Sequence, residues 1–132
     1  MRILISDDEA HNRLLLDKIL SKHGDIDLTV NGREAVEAYE LSVLDGNPYK
    51  LICLDIMMPE MDGQDALKRI RQIEQENGLQ GPSEAIIFMV SALDTEEQVV
   101  KAFFRGSCSD YLSKPINREK VEEKMRAFGL IP

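Results

Sequence analysis

Asp55 closes the apolar run Leu51-Ile52-Cys53-Leu54, and Met58-Pro59-Glu60-Met61-Asp62-Gly63 then breaks the chain into a loop. A short run that is apolar throughout, bounded by Pro and Gly, predicts a strand buried on both faces. Asp55 then stands at the strand's carboxyl end, where open α/β sheets carry their ligand sites. A second acidic group has the same context, because Arg2-Ile3-Leu4-Ile5-Ser6 runs straight into Asp7 and Asp8. Carboxylates gathered at strand ends raise one another's pKa unless a cation joins them. Oxygen ligands with no His or Cys beside them favour a hard ion, Mg2+ or Mn2+, which keeps waters and takes phosphate oxygens as further ligands. Ser91 and Lys114 close two later runs and would offer phosphate a hydroxyl donor and a point charge. The set Asp7, Asp8, Asp55, Ser91 and Lys114 suits a phosphoryl group in transfer, with Asp55 as the nucleophile that forms an aspartyl phosphate.

Elements that could position this set alternate along the chain. Strand patterns fall at 3–6, 26–30 (weak), 51–54, 85–90 and 110–112, and helical patterns at 10–23, 33–44, 64–77, 95–104 and 118–128. In the first helix Leu16, Ile19, Leu20 and His23 fit helical spacing, with Gly24 as the expected C-cap. In the third, Ala66, Leu67, Ile70 and Ile73 mark the buried face and Gly78 ends it. Five β/α alternations imply an α/β fold: a doubly wound, five-stranded parallel sheet with helices on both faces. The strand order 2-1-3-4-5, flavodoxin-like, is a common solution and places the switch point between the first and third strands. It would bring Asp7 and Asp8 beside Asp55, with Ser91 and Lys114 on the same rim.

The 132 residues suit a single domain spanning 1–132, and we find no repeat, low-complexity tract or interdomain linker. Lys and Arg total 16 against 24 Asp and Glu, a net charge of −8. That balance argues against nucleic-acid binding, which needs clustered cations. No apolar run approaches membrane-spanning length, and no signal peptide is evident. Cys53 and Cys108 read as reduced thiols, so a cytoplasmic location is expected.

The sequence resembles the receiver domain of two-component response regulators over essentially its whole length. The resemblance rests on Asp7-Asp8-Glu9, on Leu54-Asp55-Ile56-Met57-Met58-Pro59-Glu60-Met61-Asp62-Gly63, on Ser91-Ala92, and on Asp110-Tyr111-Leu112-Ser113-Lys114-Pro115-Ile116. It implies that Asp55 is the phosphoacceptor. It implies that Asp8, Asp55 and the Met57 backbone carbonyl bind Mg2+ directly, with Asp7 acting through water. Ser91 would follow the phosphoryl group, Lys114 would contact it, Lys114-Pro115 would be a cis peptide, and Tyr111 would be the switch aromatic. Partners would be a histidine kinase or histidine phosphotransfer protein and a downstream target protein, with no direct nucleic acid and no membrane. Such a protein is no enzyme beyond catalysing its own phosphorylation and dephosphorylation. Ending soon after the fifth helix, the chain reads as a stand-alone, chemotaxis-receiver-like domain.

The sequence departs from the family pattern twice. Five steps separate Gly106 from Tyr111 where four are usual, and Ser91 stands where Thr is commoner. The positions two beyond the phosphoacceptor and two beyond the hydroxyl are Met57 and Leu93. Being apolar, they predict slow self-dephosphorylation.

Each residue alone has a plainer reading. Asp7 and Asp8 could be loop acids or a helix N-cap pair, Lys114 a surface lysine, and Met57, Met58 and Met61 gap-filling core. Asp62-Gly63 is an ordinary turn dipeptide, and neither His11 nor His23 is given a catalytic role. Two competing functions are a phosphoaspartate-forming hydrolase of the haloacid-dehalogenase type and a receiver-like scaffold that never takes phosphate. The first expects Asp-x-Asp on the first strand, whereas Met57 lies two beyond Asp55. The second is at odds with the intact acidic, hydroxyl and lysine set.

Overall fold

The computed structural model describes residues 1–92 and 107–132. The helix expected at 95–104, together with Leu93 and Gly106, lies outside the described residues. The elements run β1 Arg2–Ser6, α1 Ala10–Leu20, β2 Asp25–Thr29, α2 Gly32–Leu44, β3 Leu51–Asp55, α3 Gly63–Glu76, β4 Ile86–Ser91, β5 Asp110–Ser113 and α4 Arg118–Ala127. The strands form one sheet in the order β2-β1-β3-β4-β5, and every neighbouring pair is parallel. The expected α/β architecture and strand order are therefore both present.

Strand side chains alternate between faces, so each buried strand serves two cores. Ile3, Ile5, Leu51, Cys53, Phe88 and Val90 join Leu16, Ile19 and Leu20 of α1 and Val121 and Met125 of α4. Leu4, Ile52, Leu54, Ile87 and Met89 join Ala35 and Tyr39 of α2 and Ala66, Leu67, Ile70 and Ile73 of α3. Covering both faces removes any need for a polar side, which is why these runs are apolar throughout. β2 is an edge strand and mostly exposed, so its hydrophobic signal is weak.

Three of the described α-helices, α2, α3 and α4, have starts fixed by side chains. Asn31, Asp62 and Asn117 accept from the backbone N–H groups of Glu34, Asp65 and Lys120 at 2.8, 3.0 and 2.9 Å, each satisfying a donor that the first turn leaves open. At α1 the N-cap is Glu9, without a side-chain cap, so the reading of Asp7-Asp8 as a capping pair fails. Gly24 is also corrected. The helix ends at Leu20 with Ser21 as C-cap. Gly24 instead admits the backbone of Met1, since a Cβ there would lie 2.3 Å from the Met1 carbonyl oxygen. Gly78, at φ 70°, ends α3 as expected.

Two ion-pair groups tie elements together. His23 Nε2 and Lys22 Nζ lie 2.7 and 3.1 Å from Glu122 Oε2, with Arg118 Nη1 at 3.7 Å, joining the end of α1 to α4. His23 and then Lys22 hold the Glu122 carboxyl down at about 2. Glu74 is buried at the far end of α3. Its carboxylate accepts from Tyr39 Oη at 3.1 Å, the Ala85 N–H at 2.7 Å and Arg71 Nη1 at 2.7 Å. Burial, then the Glu74 charge, raises the Tyr39 pKa well above its ordinary value, so this hydroxyl remains a donor.

Candidate functional site

The carboxyl ends of β1, β3, β4 and β5 meet over a cleft of about 210 Å³, lined by Asp8, Glu9, Asp55, Ile56, Met57, Val90, Ser91, Ala92 and Lys114. Strand order produces this convergence, because β1 and β4 flank β3. Asp7 is buried, held by its N–H to the Thr29 carbonyl at 3.2 Å and by its Oδ1 to the Glu9 N–H at 2.9 Å. Arg13 Nη1 donates to the Asp7 carbonyl oxygen at 2.7 Å. Asp8 is exposed at the mouth. Asp55 is 4% exposed and Ser91 1%.

The loop after Asp55 is anchored on three sides. Ile56 donates to the Val90 carbonyl at 3.2 Å and accepts from Gly63 at 2.9 Å. Gly63 must be glycine, because a Cβ there would lie 2.4 Å from the Asp55 carbonyl oxygen. Gly32 at the start of α2 donates to the Met61 carbonyl at 3.0 Å, and Arg33 Nε reaches Glu60 Oε2 at 3.1 Å. Glu60 has φ 62°, a left-handed conformation unusual for a side-chain-bearing residue. Beneath the loop, Ser6 Oγ donates to the Asn31 carbonyl at 3.0 Å and lies 3.3 Å from Met58 Sδ.

Lys114 comes from the end of β5. Its N–H donates to the Ser91 carbonyl at 2.7 Å, and the Lys114–Pro115 peptide is cis. Its ammonium lies 3.4 Å from Asp55 Oδ2 and 3.9 Å from Asp7 Oδ2. One ammonium thus faces two buried carboxylates, with Asp8 a third nearby. Burial, then repulsion from Asp7, outweighs Lys114 and pushes Asp55 up to about 7. Burial raises Asp7 as well.

The oxygens fit a cation. Carboxylate atoms of Asp7, Asp8 and Asp55 all lie within 4.8 Å of one another. Asp7 Oδ2 is buried and has no hydrogen-bond partner among the described residues, an arrangement that is costly unless something positive or protic fills it. The donors are all oxygen, matching Mg2+ or Mn2+ rather than zinc.

All five residues singled out for chemistry thus meet at one rim. Met57 is also there, 73% exposed and lining the cleft; it is not the core filler its residue type suggests. Met58 does fill core, at 8% exposure. Tyr111 is buried on the α3 side of the sheet, paired in register with Met89. The sequence reading missed Arg13, Thr29, Gly32 and Glu60. Thr29 meets Asp7 only through backbone atoms, which leave no residue-type signature, and the Arg13 guanidinium reaches the Asp7 backbone carbonyl, a target that sequence does not mark. A glycine directly after the Asn31 cap was the available signal for Gly32.

A parallel 2-1-3-4-5 sheet with an acidic cluster and a facing lysine at its switch point is the architecture of a phosphoacceptor signalling domain. The chain belongs to the response regulator receiver domain family, whose model matches residues 3–126. It is 38% identical over 124 residues to the chemotaxis protein CheY of Bacillus subtilis (strain 168), covering 92% of each chain. A CheX–CheY complex from Borrelia burgdorferi, solved with BeF3 and magnesium, superposes with a TM-score of 0.79 at 30% identity, covering 97% of this chain and 89% of that one. The receiver domain of Saccharomyces cerevisiae Ssk1, solved with the histidine phosphotransfer protein Ypd1, gives 0.78 at 29% identity, covering 98% and 88%. Among the described residues no helix is long and apolar enough to cross a membrane.

Proposed function

We propose that residues 1–132 form one receiver domain, a phosphoacceptor switch that takes a phosphoryl group on Asp55. The donor is a phosphohistidine on a histidine kinase or histidine phosphotransfer protein, and the location is cytoplasmic. The reading is carried by one observation: the buried Asp55 carboxylate, with the Lys114 ammonium at 3.4 Å, beside Asp7 Oδ2, which is buried with no hydrogen-bond partner among the described residues. An Asp55 oxygen attacks phosphorus, the N–P bond breaks, and its electron pair returns to the imidazole. Lys114 takes up charge on one phosphoryl oxygen and the Ser91 hydroxyl donates to another. Asp8, Asp55 and the Met57 carbonyl would hold Mg2+, with Asp7 acting through water. The ion would supply charge neutralisation between the carboxylates and the incoming group. Beyond its own phosphorylation and dephosphorylation the domain catalyses nothing. Its output is altered binding to a target protein through the face carrying β5 and α4.

Intact-mass analysis after acetyl phosphate and Mg2+ treatment tests the acceptor. One phosphoryl group is expected on the wild type and none on Asp55→Asn; equal modification of the variant overturns the assignment. Coupling is tested by NMR on adding beryllofluoride. Shifts should reach Tyr111 and α4 through Ser91, a movement that needs only a few kcal/mol of differential interaction. Shifts confined to the cleft contradict the coupling.

A further inference from the structure

Met57 differs from the other methionines of this chain in exposure. It is 73% exposed, Met1 is 39% exposed, Met58 is 8% exposed, and Met89 and Met125 are fully buried. Met61 is partly buried against the α3-side core. The Met57 thioether is therefore open to a small oxidant. Its place is equally distinctive. It stands two residues beyond Asp55 and lines the cleft with Asp8, Ser91 and Lys114.

We propose that Met57 is an oxidation site whose conversion to the sulfoxide by a peroxide shortens the life of the phosphoryl group on Asp55. The inference rests on Asp55 being the phosphoacceptor. The sulfur lone pair attacks one peroxide oxygen, the O–O bond breaks, and hydrogen peroxide leaves as water. Sulfur is oxidised and the transferred oxygen becomes S=O. A thioether is a weak acceptor that does not hold a water, whereas the sulfoxide oxygen is polar and accepts hydrogen bonds. At the mouth of the cleft it accepts a hydrogen bond from an incoming water and leaves that water's lone pair free for phosphorus. The water oxygen bonds to phosphorus as the P–O bond to Asp55 breaks, which restores the carboxylate and releases inorganic phosphate carrying the water's protons. Methionine sulfoxide is enzymatically reducible, so the change is reversible and links an oxidising signal to a faster reset.

The test uses the full chain. Peptide mapping after graded hydrogen peroxide should find Met57 oxidised first, ahead of Met1, with Met58, Met89 and Met125 last. The treated protein is then phosphorylated with acetyl phosphate and Mg2+, desalted, and its decay followed by intact mass. We expect decay about three- to tenfold faster than in untreated protein, the worth of one hydrogen bond made in the transition state. Methionine sulfoxide reductase should restore the slow decay, which separates this effect from oxidation of Cys108. In Met57→Leu the decay before and after peroxide should be equal. Met57→Gln should decay faster than Met57→Leu with no oxidant. Unchanged or slower decay with Met57 fully oxidised overturns the proposal, as does undiminished peroxide sensitivity in Met57→Leu. Failure of untreated wild type to take up phosphate, read before any peroxide is added, overturns the phosphoacceptor reading itself and the proposal with it.

Discussion

Asp55→Asn should make the metal-free protein more stable at neutral and alkaline pH, although it removes the partner of Lys114. Asp55 is 4% exposed, and its carboxyl is pushed up to about 7 by burial first and by Asp7 second. The folded state therefore binds a proton that the unfolded chain, with an ordinary value near 3.8, has released. Between these values the folded state carries more protons, so stability falls as pH rises, and the full cost is present above about pH 7. A shift of roughly three units corresponds to about 4 kcal/mol at most. Asp7 and Asp55 titrate as a pair, and water reaches the cleft, so about half of that is expected. Asn keeps the shape without the charge. We predict a gain of about 2 kcal/mol at pH 8, or roughly 6–8 °C in Tm for a domain of this size. Urea and thermal unfolding in EDTA at pH 4 and pH 8 measure it. The gap should nearly close at pH 4, and Mg2+ should raise the wild type more than the variant. Equal or lower stability of Asp55→Asn at pH 8 without metal would refute the argument that repulsion and burial outweigh Lys114.

Three further outcomes follow from the same geometry. Asp8→Ala should abolish Mg2+-dependent phosphorylation while leaving Tm within about 1 °C, because Asp8 is exposed and exposed substitutions cost little; full activity with Mg2+ refutes its place as a ligand. Glu74→Ala strands the Tyr39 hydroxyl and the Ala85 N–H and removes one ion-pair partner of Arg71, which keeps the Ser107 and Ala85 carbonyls, and should cost about 3 kcal/mol in urea unfolding. That is the low end for a broken buried pair, because the Arg71 side chain is 21% exposed; Mg2+ affinity read by calorimetry should be unaltered. Glu122→Gln should lower Tm at pH 7. The folded carboxyl is held near 2 against an ordinary 4.5, so its contribution is present above about pH 4.5 and lost as pH falls toward 2; a difference that persists unchanged in acid contradicts the pairing.

The site was legible because its chemistry lies in side chains at strand ends, and strand ends are marked in sequence by loss of the apolar run. Asp7 and Asp8 were harder to separate. Adjacent acids look alike in sequence, yet the turn into α1 buries one and exposes the other. Met57 and Met58 repeat the lesson: one residue type at adjacent positions, one on the surface and one in the core. Glu74 was missed, although its spacing from Leu67 and Ile70 puts it on the buried stripe of α3; an acid on such a stripe signals a buried partner, here Tyr39 of α2, the Ala85 N–H just before β4 and Arg71 of α3. Gly24 was misassigned because a glycine after a helix suits both a left-handed cap and a close backbone approach. Only the tertiary position of Met1 decides between them. The loop entering β5 is tied back by Ser109, whose N–H reaches the Ile87 carbonyl at 2.8 Å and whose hydroxyl accepts from the Ile87 N–H at 2.9 Å. Side chain-to-backbone pairing of this kind is invisible to periodicity.

Ile3 and Ile5 of β1 share one apolar cluster with Val121 and Met125 of α4. The cluster is thus completed by a helix made long after the strand, with α1 the cover that arrives sooner. At about 5–20 residues per second, the α4 share of that cluster follows β1 by several seconds or more. β1 also lacks its second neighbour until Leu51 emerges. A nascent chain stalled or cleaved before α4 would present a half-covered sheet to chaperones and to other stalled copies. Early termination should therefore favour aggregation over a smaller working domain.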